Sequence, residues 1–79
     1  MLKLRIVSPE KVVFDGDIES ITVPGTLGSF EILNNHAPII SSLGIGKVIY
    51  VTSKTTEELD IQGGFVEVQK NMVELCVEV

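Results

Sequence analysis

Leu2, Leu4 and Ile6 alternate with Lys3 and Arg5. One side of this first segment is apolar and the other polar, the period-two signature of a half-buried β-strand. The far end repeats the pattern. Val73, Leu75, Val77 and Val79 share one parity and are expected to face inward, while Glu74 and Glu78 share the other. Cys76 has the parity of the glutamates, so it is either exposed or covered by another element. Val12/Phe14, Ile21/Val23 and Val48/Tyr50 are further alternating pairs.

Turn formers divide the chain at short intervals. They are Ser8-Pro9, Asp15-Gly16, Pro24-Gly25 through Gly28, Asn34-Asn35, Gly44 and Gly46, Ser53 to Thr56, Gly63-Gly64 and Lys70-Asn71. The segments between them run about five to eight residues, too short for most helices and suited to strands. Stretch 63–79, GGFVEVQKNMVELCVEV, reads as a hairpin turning at Gln69-Lys70-Asn71. Composition points the same way. Val, Ile and Thr supply 25 positions, and the one alanine, Ala37, leaves the best helix former almost unused. The expected class is all-β: a flattened antiparallel β-sandwich of about 8–10 short strands, because one open sheet would leave an apolar face in water.

The 79 residues allow one domain, 1–79, with no linker, repeat or low-complexity segment. A chain this short buries only roughly 60% of its unfolded surface. Apolar residues make up 44% and charged ones 22%, an ordinary globular mix that excludes disorder as the default. No apolar run approaches the roughly 20 residues that span a bilayer, and the start MLKLRIVSPE lacks the apolar core of a signal peptide. The compartment expected from this reading is the cytoplasm. A net charge of −5, with the six cations scattered, excludes a nucleic-acid partner and suits a basic or neutral protein surface.

Candidate chemistry is thin. Gly44-Ile45-Gly46-Lys47 would need glycine at position 41 and Ser or Thr at 48 to be a phosphate loop, but Ser41 and Val48 stand there. Asp15/Asp17 flank a turn glycine without further oxygen ligands at calcium-loop spacing. Glu57/Glu58 are adjacent and point to opposite faces of a strand. One His and one Cys give a transition metal no ligand set, and Cys76 has no partner for an internal disulfide. His36 is the sole imidazole, with Ser41 and Ser42 five and six residues on. An esterase-like pair there would need a base in reach of a hydroxyl. The plainer reading of His36 is a corner residue whose ring fixes a loop, since Pro38 biases Ala37 toward an extended backbone and so starts a strand.

Taken in order, the motifs resemble one family, the epsilon subunit of F-type ATP synthases, in its N-terminal β-sandwich. They are Val7-Ser8-Pro9-Glu10, Phe14-Asp15-Gly16, Ile21-Thr22-Val23-Pro24-Gly25, His36-Ala37-Pro38, Gly44 to Lys47, Asp60 to Val68 (DIQGGFVEV) and Asn71-Met72-Val73. The resemblance covers the whole chain without a large gap. It implies a non-catalytic rotor subunit of the central stalk of a proton-translocating ATP synthase, needing no cofactor. Such a subunit grips the gamma subunit and rests on the polar loops of the c-ring. It implies a peripheral position on the cytoplasmic face of the bacterial inner membrane, without insertion and without a small-molecule substrate. By the family pattern, Ser8, His36 and Ser41 contact gamma, and Thr26, Leu27, Gly28, Ser29, Phe30 and Glu31 face the c-ring.

Three departures stand out. Glu31 follows Phe30 where many relatives carry a further glycine, and Asn34-Asn35 precedes His36 where they carry glycine or proline. Asparagine tolerates left-handed backbone, so the turn is expected to survive. Relatives commonly continue into a C-terminal helical hairpin that regulates hydrolysis. No such sequence follows Val79 here, so that role is not implied, and the Met1 start favours a native short subunit over a trimmed chain. Two other readings compete. A stand-alone cytoplasmic β-sandwich binding module should show a deep apolar pocket with converging polar groups. An esterase should show a serine hydroxyl against the imidazole.

Overall fold

The computed structural model describes every residue from Met1 to Val79. Nine strands and no helix follow in order: β1 (Leu2–Val7), β2 (Val12–Ile18), β3 (Ser20–Gly25), β4 (Gly28–Ile32), β5 (Ile39–Leu43), β6 (Gly46–Val51), β7 (Thr56–Ile61), β8 (Gly63–Gln69) and β9 (Met72–Glu78). No helix is therefore present that could cross a membrane. Hydrogen bonding links the strands in the order β2-β1-β9-β8-β5-β3-β6-β7, with β4 added to β3. Between β5 and β3 the link is a single pair, Gly25 with Leu43. That pair is the corner at which the sheet folds over. β2-β1-β9-β8-β5 forms one layer and β4-β3-β6-β7 the other. Closure is visible in Phe14 on β2 and Tyr50 on β6, far apart along the strand order yet with ring centroids 4.7 Å apart.

Sixteen buried residues form one core between the layers, and every one is apolar or aromatic. Leu2, Leu4 and Ile6 enter from β1, Val73, Leu75 and Val77 from β9, Ile21 and Val23 from β3, and Val48 and Tyr50 from β6. The alternation read from the sequence is thus the core pattern. Val79 is the exception. β9 ends at Glu78, and the terminal residue lies exposed beyond it.

β1 and β9 pair in parallel, Leu4 beside Val73 and Ile6 beside Leu75; every other pair is antiparallel. A parallel pair needs a long crossover, and here the whole intervening chain supplies it. Val12 also differs from expectation. The register slips between Ile6 and Val7, so Val12 pairs with Val7 and is exposed instead of following Phe14 inward. At the β8–β9 hairpin the turn is tighter than the sequence suggests. Gln69 still pairs with Met72, and only Lys70 and Asn71 turn, with φ of 51° and 61°. Two central residues with positive φ make a type I′ turn, whose twist matches the flanking strands.

Candidate interaction surface

With no buried polar or charged residue, the interior offers no chemistry, and whatever the domain does it does on its surface. The outer face of the β2-β1-β9-β8-β5 layer breaks the usual rule for a solvated sheet. Ile40 is 75% exposed and Phe65 and Met72 about half exposed, all on the side away from the core. Register aligns them into rows. Val12, Val7, Cys76, Phe65 and Ser42 follow one another across the five strands. Asp15, Arg5, Glu74, Glu67 and Ile40 make the neighbouring row. An open groove lined by Val7, Ser8, Pro9, Gly64, Phe65 and Cys76 lies at one end of the apolar row. At Gly64, with φ +145°, a Cβ would run into the Cys76 carbonyl oxygen on the neighbouring strand.

Sequence reasoning did not single out Ile40, Phe65 or Met72. Their signal is an apolar residue at an outward parity: Phe65 alternates with Val66 and Val68 beside Glu67, and Met72 with Val73 beside Glu74. The charges between them are mainly acidic. Arg5 binds Glu74 at 3.2 Å, but Glu67, opposite Glu74, forms no ion pair. Like charges facing across strands are unfavourable, and a cation from outside would relieve them.

His36 sits in the β4–β5 connection, half-buried. Its N–H donates to the Leu33 carbonyl at 3.2 Å, and Asn35 between them has φ 65°. Positive φ at the third position of a turn favours Gly or Asn, so the expected tolerance of Asn35 is what the loop uses. The ring Nδ1 lies 2.7 Å from the Ala37 carbonyl oxygen. A carbonyl only accepts, so Nδ1 carries the hydrogen and Nε2 is the atom left for another molecule. Asn71 holds the loop from the β8–β9 turn: its Oδ1 accepts from Asn35 N–H at 2.6 Å, and its Nδ2 donates to Asn35 Oδ1 at 3.2 Å.

Ser8 caps the turn after β1. Its Oγ accepts from the Glu10 and Lys11 amides at 3.4 and 3.3 Å. Ser41 lies on β5 opposite Val66, on the core-facing parity and half-buried, and its hydroxyl donates to the Ser42 carbonyl at 3.3 Å. The three do not form one cluster. His36 is beside Asn71, where β1 and β9 begin, and Ser8 is where β1 ends. They bracket the outer face from opposite ends. Ser42, the outward serine of β5, pairs its hydroxyl with Thr26 Oγ1 at 3.3 Å.

Thr26 and Leu27 form the tip of the β3–β4 hairpin, with Leu27 fully exposed. Gly28 follows at φ 131°, which a side chain would resist. The tip is tied to its neighbour by Thr26 N–H to the Ser42 carbonyl at 3.3 Å and Gly44 N–H to the Pro24 carbonyl at 2.8 Å. Exposed Ile45 therefore belongs to the same end. Ser29 and Glu31 are exposed on β4, whereas Phe30 packs against the core from its place opposite Val23. Phe30 is a support of the hairpin and not its apex.

The catalytic alternative has no geometry behind it. The imidazole bonds a carbonyl, and the Ser41 and Ser42 hydroxyls bond Ser42 and Thr26. Two groups have shifted pKa values, both on β6. Lys47 is raised by its hydrogen bond to Glu58 and by the charge of Asp60, and Tyr50 is raised by burial and then by Glu57. These are a surface ion network and a core phenol, apart from any cleft. No three His, Cys, Asp or Glu side chains converge as metal ligands would.

An apolar core closed by a curled sheet, with an apolar row exposed outside it, defines a small β-sandwich domain. The sequence profile described as "ATP synthase, Delta/Epsilon chain, beta-sandwich domain" matches residues 1–79. The chain belongs to that family. It is 39% identical over 98% of its length to the ATP synthase epsilon chain of Leptospira interrogans, spanning 61% of that relative. It is 40% identical over 96% to the epsilon chain of Chlorobium limicola, spanning 88%. The chain thus covers less than two thirds of the Leptospira protein and most of the Chlorobium one. Among solved structures, its fold superposes with a TM-score of 0.90 on a chain of the Euglena gracilis mitochondrial ATP synthase, OSCP/F1/c-ring, at 18% identity, covering 96% of this chain and 49% of that one. The Tetrahymena thermophila central stalk/c-ring gives 0.83 at 22%, covering 99% and 63%.

Proposed function

We propose that this domain is the coupling module of an ATP synthase rotor. It holds the gamma subunit against the outer face of the β2-β1-β9-β8-β5 layer and meets the c-ring polar loops with the hairpin Thr26–Glu31. The observation that carries this reading is the apolar row of Val12, Val7, Cys76 and Phe65, with exposed Ile40 at the end of the acidic row beside it, on the solvent side of the sheet. Exposed apolar patches on small domains mark protein contacts. Ser8 and His36 flank this face, whereas Ser41 lies on β5 with the core-facing parity, on the other side of the layer. The domain itself performs no bond chemistry. Its contribution is stiffness, since a close-packed apolar interior transmits torque with little deformation. Epsilon-chain relatives from bacteria support a place at the cytoplasmic face of the inner membrane, as a peripheral part of the complex.

Co-purification with the gamma subunit of the same organism tests the reading. Purified separately and mixed at micromolar concentration, the two should elute together in gel filtration. Single cysteines at positions 8 and 36, in a Cys76→Ser background, should cross-link to gamma, and one at position 27 to the c-ring. Separate elution with no cross-link would overturn the assignment.

A further inference from the structure

We propose that Asn71, which lies outside the expected contact set, is the positioning residue that presents His36 to the partner. This rests on the reading of His36 as a contact residue. The ring is not held by a neighbouring side chain; it is anchored to the backbone of its own loop through Nδ1–H and the Ala37 carbonyl, 2.7 Å apart. Its orientation therefore follows that loop. Inside the loop one backbone hydrogen bond, His36 N–H to the Leu33 carbonyl, closes the turn.

The link to the sheet comes from Asn71. Its side-chain oxygen takes the Asn35 amide at 2.6 Å and its side-chain nitrogen returns a bond to Asn35 Oδ1 at 3.2 Å. Asn71 is itself fixed, because its carbonyl accepts from Lys3 N–H at 2.9 Å. A continuous path thus runs from β1 through the Asn71 backbone and side chain to Asn35 and then His36. Both asparagines occupy left-handed backbone, φ 61° and 65°. Residues in this region other than glycine are chiefly Asn and Asp, and glycine in their place would supply the backbone without the clasp.

That asymmetry supplies the test. Asn71→Gly keeps the turn and deletes both side-chain bonds. Gamma affinity, measured by titration calorimetry, should fall about fivefold, the loss expected for about one net hydrogen bond's worth of preorganisation. The His36 imidazole resonances should shift or broaden by NMR while the amide spectrum of the core stays in place. Asn71→Asp keeps the oxygen that accepts from Asn35 and should bind within about twofold of the parent. The decisive comparison is the double variant. If Asn71 acts through His36, His36→Ala/Asn71→Gly binds as His36→Ala alone does.

Additive losses, or an Asn71→Gly domain with parental affinity beside a weakened His36→Ala, would overturn the positioning role and leave the contact reading standing. An unweakened His36→Ala would remove His36 from the interface and this role with it. Should Asn71→Gly not fold, Asn35→Gly opens the other half of the clasp at compatible φ, and the same comparison applies.

Discussion

Lys70 occupies left-handed backbone at φ 51° without the local side-chain hydrogen bonds that make Asn or Gly comfortable there. Lys70→Asn is therefore expected to stabilise the domain by about 0.5 kcal/mol, seen as a higher urea midpoint at unchanged slope. Gly64 is the opposite case. Any side chain would drive into the Cys76 carbonyl, at a φ of +145°. Gly64→Ala should cost about 3 kcal/mol or prevent folding. Tyr50 sets a pH limit. Its phenol titrates higher in the folded state than its ordinary value of 10.0, because burial and then Glu57 disfavour the anion. The folded state thus holds that proton more tightly, so its share of stability is complete below pH 10 and fades as pH rises through the folded value. Urea melts between pH 9 and about pH 11 should show a falling midpoint, with the slope reduced in Tyr50→Phe. Lys47, raised by Glu58 and Asp60, contributes in the same direction and remains in that variant. None of these residue-level features is visible in composition. Asn71 and Lys70 are legible as turn formers, but the bonds from Asn71 to Asn35 span 36 positions and leave no local mark in the sequence.

At the level of elements, alternation identified the strands because each has one face in a single core. Period two can be read wherever only one side is wet. It placed Leu2, Leu4, Ile6, Val73, Leu75 and Val77 correctly. It failed at Val12, where the register slips, and at Val79, where pairing has ended, since neither event leaves a mark on hydrophobicity. Nor could alternation show that β1 and β9 lie side by side in parallel, because pairing partners are set by the long-range fold. That pairing puts Leu75 at the centre of the layer, between Ile6 and Val66. Leu75→Ala should cost about 3 kcal/mol, measurable as a lower urea midpoint. In so small a domain this is a large share of the total. The candidate surface was only partly legible. The family resemblance pointed to Ser8, His36 and the hairpin at Thr26–Glu31. The apolar row of Val7, Cys76 and Phe65, with Ile40 in the row beside it, emerges only when register aligns the strands.

For the molecule as a whole, charge and apolar surface act together. The outer face carries Asp15, Glu67 and Glu74 around the apolar row, with Arg5 as the one cation in that line. Association with a basic partner should therefore slow as salt rises, more than dissociation changes. The most direct test of the coupling role is the gamma affinity of the intact domain and of two surface variants, read by titration calorimetry. Binding should be measurable for the parent, fall at least about thirtyfold for Ile40→Asp, which replaces the most exposed apolar side chain beside the apolar row with a charge, and change little for Leu27→Asp at the tip of the β3–β4 hairpin. Absence of binding by the parent, or an Ile40→Asp domain that binds as tightly, would contradict it.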